Sequence, residues 1–242
     1  MKEIFKTRGI VLSTIPYNDK TSFVHIYTSE FGMMSYAVAI TRSKKAKIQR
    51  SLFAPLTMLD LEVEHKPSRT AQKILEAQTI AQHYNLQIDP IKNAVSFFIA
   101  EFLDRVIQEH EPNTTLYTYI ENSIVFFELI DEGKANFHLI FLAHLSMHLG
   151  LAINMDSYKD GSYFDLLDGI FVEVIPAHVH YLEPLEAKIF YTLYSTSFRD
   201  MADLQLSREQ RNNLLESTIT FFRLHLSDFR KINSLEVLKA LF

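Results

Sequence analysis

The chain of 242 residues contains no cysteine. Disulfides, thiolate metal sites and a cysteine nucleophile are excluded together. Tryptophan is absent too, and there are six glycines. Neither G-x-x-x-x-G-K-S/T nor G-x-G-x-x-G occurs, so the sequence offers no phosphate-cradling loop for nucleotide hydrolysis or dinucleotide chemistry. No G-x-S-x-G nucleophile elbow occurs. There is no run of about 18 apolar residues, so no transmembrane helix is expected. The N-terminus, Met1-Lys2-Glu3-Ile4-Phe5-Lys6, lacks the apolar core of a signal peptide. These absences favour a cytoplasmic protein.

What is present suits a globular protein of one large or two modest domains. Hydrophobic residues make up 48% and charged residues 22%, and 19 Phe and 11 Tyr supply apolar area for a core. The formal net charge is −5, unevenly spread. Residues 1–80 carry 12 Lys and Arg against 7 Asp and Glu, a net of +5; residues 81–242 carry 12 against 22, a net of −10. The excess centres on "ITRSKKAKIQR", residues 40–50, with Arg42, Lys44, Lys45, Lys47 and Arg50 and no acid. Such asymmetry suggests a polyanion-binding part beside an acidic one; the plain alternative is a well-solvated loop.

The first 80 residues alternate with a period of two. Val24 and Ile26 flank His25, Tyr36, Val38 and Ile40 flank small alanines, and Leu59, Leu61 and Val63 flank acids. Strands are expected near 9–14, 23–28, 35–40, 56–63 and 74–80, separated by turn signals such as Pro16-Tyr17-Asn18-Asp19. Five short strands at this spacing suit a small closed barrel. From about residue 89 the period becomes 3.6. Asp89-Pro90 reads as an N-cap with Pro at the first helical position. Val95, Phe98, Phe102 and Val106 then share a face. A second helix follows Asn113-Thr114, and a third runs from about Asn136 to Leu149, with Gly150 as its stop. Residues 151–183 read as irregular, with a β-like run at 171–175. Ser207-x-x-Gln210 forms a capping box, and Asn233-x-x-Glu236 resembles one. The expected architecture is therefore a β barrel over residues 1–80 and a helical domain over 81–242 with an irregular insert at 151–183.

The stretch "RGIVLSTIPYNDKTSFVHIYTSEFGMMSYAVAITRSKKAK", with "PLTMLDLEV" after it and "LHLSDFRKINSLEVLKALF" near the end, resembles the bacterial recombination mediator family RecO. The resemblance covers most of the chain. It implies an OB-fold followed by a helical domain, and binding of single- and double-stranded DNA with strand annealing. It also implies work with RecR and contact with the C-terminal tail of single-stranded DNA-binding protein, so that RecA is loaded on the covered strand. No bond-making chemistry, cofactor or membrane contact is implied. Many relatives carry a four-cysteine zinc element between helices. Here residues 156–181 hold Asp156, Asp160, Asp165, Asp168, His178 and His180 instead. No structural zinc of that kind is expected.

In this light Arg42, Lys44, Lys45, Lys47 and Arg50 are candidate phosphate contacts, and Arg8 at a strand start extends the set. Each neutralised phosphate releases counterion, so affinity should fall steeply with salt. OB barrels pair such charge with aromatics on which bases stack. Tyr17, Tyr27 and Tyr36 are candidates; Tyr36, which shares a face with Val38 and Ile40, reads more readily as core. In the acidic half, Arg208 and Arg211 lie three apart on one helix and are candidates, with Arg199 and Arg223, for the rim of a partner pocket. The plainer reading is ion pairing with Glu209 or Glu216. His144 and His148 stand four apart on a helix, but no Glu follows the first, so the metalloprotease pattern fails. His178 and His180 share a side of an extended segment. Two rivals stay open: an OB-fold RNA-binding module in RNA metabolism or translation, and an enzyme concealed in 151–183.

Overall fold

The computed structural model describes residues 3–39, 48–81, 84–107 and 110–241. By packing, the chain divides into two compact units. Residues 1–129 with 232–235 form the first, and 130–231 with 236–242 the second.

In the first unit five antiparallel strands, β1 (Glu3–Pro16), β2 (Thr21–Thr28), β3 (Gly32–Ala39), β4 (Met58–His65) and β5 (Lys73–Thr79), take the order β3-β2-β1-β4-β5. The alternating residues do what their pattern requires. Val24, Ile26, Tyr36, Val38, Leu59, Leu61 and Val63 all point into one core, joined by Val11, Phe53 and Ile74. β1 serves two neighbours, pairing with β4 from Glu3 to Ile10 and with β2 from Gly9 to Pro16. A bulge between Val11 and Ser13 sharpens its bend. There the chain before β4 crosses it: Leu56, at φ 59°, donates its N–H to Val11 O at 2.8 Å, and Val11 N donates to Thr57 O at 3.0 Å. Gly9 sits where β1 passes closest to its neighbours. A Cβ there would lie 2.5 Å from Ile26 Cγ2 and 3.0 Å from Leu61 Cδ1.

The sheet's outer strands meet at a parallel bridge between Tyr36 and Gln72. Ala37 N donates to Gln72 O at 2.9 Å, and Gln72 N donates to Ser35 O at 2.8 Å. This is the five-stranded, partly open barrel of an OB-fold.

Three helices complete the unit: α1 (Tyr84–Ile88), α2 (Pro90–Val106) and α3 (Thr114–Leu129). Asp89 caps α2 by accepting from Ile91 N and Lys92 N. Asn113 Oδ1 accepts from Leu116 N at the start of α3. These helices lie on the strands. Asp104 meets His25 Nδ1 at 2.7 Å, and the Tyr117 and Tyr27 rings are 5.9 Å apart. The switch in periodicity comes near residue 80, whereas the packing division comes after residue 129.

The second unit is built on α4 (Phe137–His148), apolar almost all round and buried at nine positions. Gly150 follows it at φ 75°, a conformation L side chains resist. α5 (Pro184–Ser195) and α6 (Arg208–His225) pack against it. The Ser207–Gln210 capping box is present with both of its bonds. The last helix, α7 (Ser234–Leu241), is not capped as its sequence suggested. Glu101 of α2 accepts Asn233 N at 2.9 Å, Ser234 N at 2.8 Å and Ser234 Oγ at 2.6 Å. Glu236, the expected box partner, meets Lys239 at 3.6 Å instead.

Residues 151–183 correct a second expectation. They hold a three-stranded sheet, β7-β6-β8, of β6 (Tyr163–Asp165), β7 (Ile170–Val172) and β8 (Tyr181–Leu182). The expected β-like run at 171–175 overlaps β7, whereas β6 and β8, three and two residues long, are too short to register as alternation. The Asp165 carboxylate ties the segment together. Its Oδ1 accepts Leu167 N at 2.8 Å and Asp168 N at 3.2 Å, and its Oδ2 lies 3.0 Å from His178 Nε2. Beneath it Phe164 packs on Phe171 and Phe190, and Tyr158 stacks on Tyr191 at 3.9 Å. Hydrogen bonds and aromatic packing hold this cysteine-free segment.

Candidate nucleic-acid interface

Of the acid-free cationic stretch, Arg42, Lys44, Lys45 and Lys47 lie outside the described residues. Its two ends are fixed on the barrel. Val38, two residues before the stretch, is buried in the core. Ile48 packs against that core, and a 3-10 turn over Arg50–Phe53 buries Phe53 in it. Thr14 Oγ1 donates to Phe53 O at 3.3 Å. Arg50 itself is exposed. Val38 and Ile48, on either side of Arg42, Lys44, Lys45 and Lys47, thus both belong to the barrel core or pack on it.

The three tyrosines separate by burial. Tyr36 and Tyr27 are 0% and 1% exposed, so neither offers a ring face to a base. Tyr27 instead donates its hydroxyl to Asn113 O at 3.4 Å. Burial pushes the Tyr36 hydroxyl pKa far up, and that hydroxyl meets no hydrogen-bond partner among the described residues. Tyr17 is 68% exposed in the β1–β2 turn and rests edge-on against Phe23. Asn18 Oδ1 fixes that turn by accepting Lys20 N and Thr21 N at 2.9 and 2.8 Å. Arg8 is exposed but engaged, with Glu121 at 3.2 Å and Asp60 at 3.8 Å. It lines a depression of about 600 Å³ where Glu30, Asp60, Glu62 and Glu76 outnumber Lys6 and Arg8. Its charge is already neutralised there.

The four arginines of the acidic half also divide. Arg211 turns inward, donating to Asn136 Oδ1 at 3.2 Å and Leu206 O at 3.1 Å. Arg208 donates to Lys239 O and Ala240 O at the end of α7. Glu216 is taken by Lys239 at 2.7 Å, not by an arginine. Arg199 and Arg223 are exposed and make no ion pair among the described residues.

His144 and His148 are half-buried, and burial lowers the pKa of both. His178 is held by Asp165. Among the described residues no group of three or more His, Cys, Asp or Glu side chains converges as metal ligands would. Sequence reasoning passed over His138. It is 1% exposed, and burial with the nearby Arg211 charge pushes its pKa down to about 3. No local pattern marks it, because its environment is made by α6.

Sequence reasoning also passed over a groove of the first unit between the β2–β3 turn and the β4–β5 loop. Phe31 and His65 stack there at 4.6 Å and 12°. They lie 34 residues apart in the chain, so no spacing could have paired them.

A five-stranded OB-fold sheet followed by helices defines the class of this protein, an OB-fold protein with a helical C-terminal part. Residues 1–83 match the family model "Recombination protein O N terminal" and residues 87–235 match "Recombination protein O C terminal". The chain is 40% identical over 237 residues to the DNA repair protein RecO of Phocaeicola vulgatus, which covers 98% of both chains. It is 37% identical to that of Azobacteroides pseudotrichonymphae over 99% of both, and 39% to that of Bacteroides fragilis over 98% of both. The chain belongs to the recombination protein O (RecO) family, whose members act in DNA repair and recombination. No described helix is long and apolar enough to cross a membrane.

Proposed function

We propose that this protein is a non-catalytic recombination mediator. It binds single- and double-stranded DNA, anneals complementary strands and works with RecR. It also engages the C-terminal tail of single-stranded DNA-binding protein, so that RecA loads on the covered strand. The observation that carries this reading is family membership over nearly the whole chain; it is supported by an acid-free sequence stretch with five cations that follows the third strand of the OB-fold.

Residues 1–80 are the proposed DNA-binding module, with Arg42, Lys44, Lys45, Lys47 and Arg50 on phosphates and Tyr17 against a base. Arg8, already facing two carboxylates, contributes least. Residues 81–242 are the proposed protein-contacting part. Its net charge of −10 repels DNA, and the exposed Arg199 and Arg223 are better placed than Arg208 and Arg211 to meet an acidic tail. This division concerns surfaces. A fragment meant to fold alone is better cut after residue 129 than after 80, because α2 and α3 pack on the strands.

The test is titration of a fluorescent single-stranded oligonucleotide at several ionic strengths, followed by annealing of complementary strands without ATP. If all five cations engage, log affinity falls against log salt with a slope of roughly −3 to −4. Binding that ignores salt, or a preference for structured RNA, contradicts the reading.

A further inference from the structure

We propose that the groove between the β2–β3 turn and the β4–β5 loop takes one unstacked base of single-stranded DNA against the Phe31–His65 ring pair. This rests on the single-strand reading above. It adds a contact of a different kind, stacking rather than charge, made by residues other than 40–50.

The groove has a volume of about 570 Å³, and Phe31, His65, Arg69, Thr70 and His110 are among its lining residues. Phe31 and His65 are stacked in parallel, and Phe5 meets both edge-on at 5.4 and 6.2 Å. The pair is therefore propped in place, and a base can extend it because every base has a π-face. The loop beside it is pre-built. Buried Glu64 holds Arg69 at 3.0 Å and Lys66 at 3.5 Å. Gln72, 3% exposed, accepts Lys66 N at 2.7 Å and donates to Lys66 O and Arg69 O, each at 2.9 Å. A loop fixed in this way needs little further ordering on binding. In OB-folds the β4–β5 loop is one of those that contact oligonucleotides.

The polar groups suit a base more than a phosphate. His110 Nδ1 lies 2.5 Å from Met33 O. A carbonyl can only accept, so Nδ1 carries the hydrogen, and Nε2 is the ring's other polar atom for a base edge. Glu30 also lines the groove and repels a phosphate. Arg69, exposed beside it, has N–H groups beyond the one on Glu64 to meet the adjoining backbone.

The test is ultraviolet crosslinking of oligothymidylate to the full-length protein, with adducts mapped by mass spectrometry, beside titrations of His65→Ala and His65→Phe. Adducts are expected on the peptides holding Phe31 or His65. His65→Ala should weaken binding about fivefold or more without changing the salt slope, and His65→Phe should restore it. Thermal melting separates lost stacking from lost fold, and the adduct map of the unaltered protein does not depend on either variant. Adducts confined to other segments, or wild-type affinity in a folded His65→Ala protein, overturn the groove and leave the DNA reading standing. If the unaltered protein binds no oligonucleotide at low salt, both fall.

Discussion

Cations are used differently in two regions of this chain. In the second unit several are engaged within the unit, Arg199 and Arg223 being exceptions. Lys159 pairs with Glu173, Lys188 with Asp160 and Lys239 with Glu216, while Arg208 and Arg211 bind backbone carbonyls and Asn136. In residues 40–50 five cations share their stretch with no acid at all. The contrast teaches that a count of positive residues says little about polyanion binding. What matters is whether counter-charge is supplied by the chain itself. Lys159, Lys188 and Lys239 are neutralised by acids of their own unit; on the proposed function, the stretch with no acid in its sequence is neutralised by DNA. Arg8 marks the border between the two cases, a cation of the barrel that nonetheless faces Asp60 and Glu121.

The contrast can be broken most decisively by charge reversal. Lys44→Glu, Lys45→Glu and Lys47→Glu together should lower affinity for single strands by on the order of a hundredfold or more at low salt, with the melting temperature unchanged. Oligonucleotide titration and thermal melting check both halves. A purely structural change in the barrel should do the reverse. Gly9→Val places atoms against Ile26 and Leu61 and should destabilise by about 2–3 kcal/mol in urea unfolding. In the second unit, Asp165→Ala removes the acceptor of two backbone N–H groups and of His178. It should cost about 2 kcal/mol while leaving DNA affinity intact.

His138 gives a pH test of the same unit. Its folded pKa lies below the unfolded value, so above pH 6.5 neither state binds its proton and stability is unaffected. As pH falls, the unfolded chain takes up the proton first, and stability drops by about 1.4 kcal/mol per unit until the folded pKa is reached. Unfolding at pH 7 and pH 5 should differ by about 2 kcal/mol from this group, and His138→Asn should remove that share. The smallest effect is expected at Tyr36. Tyr36→Phe deletes a buried hydroxyl that has no partner among the described residues. It should leave DNA affinity unchanged and stability equal or up to about 1 kcal/mol higher.

Signals confined to a few neighbouring residues were legible in the sequence. The alternation of Val24, Ile26, Leu59, Leu61 and Val63 matched their common core, and the Ser207–Gln210 box formed as written. Asp89 before Pro90 capped α2. What failed depended on distant partners. Asn233 was claimed by Glu101, 132 residues away, in place of Glu236. Arg208 and Arg211 share a helix face by spacing, yet one meets the end of α7 and the other Asn136. Of the strands at 163–182, β7 overlaps the β-like run expected at 171–175, while β6 and β8 were too short to show a period. Of the candidate interface, the cationic stretch was visible as composition. Tyr17 separated from Tyr27 and Tyr36 only once burial was known, and the Phe31–His65 pair arises from tertiary structure alone.

The cations of residues 40–50 are proposed to grip DNA, while Lys159, Lys188 and Lys239 of the second unit are paired with acids of their own unit. Lysine-reactivity footprinting with and without a single-stranded oligonucleotide tests it directly. Lys44, Lys45 and Lys47 should lose reactivity on binding, and Lys159, Lys188 and Lys239 should be unchanged. Protection of the second set with the first left reactive would contradict the account.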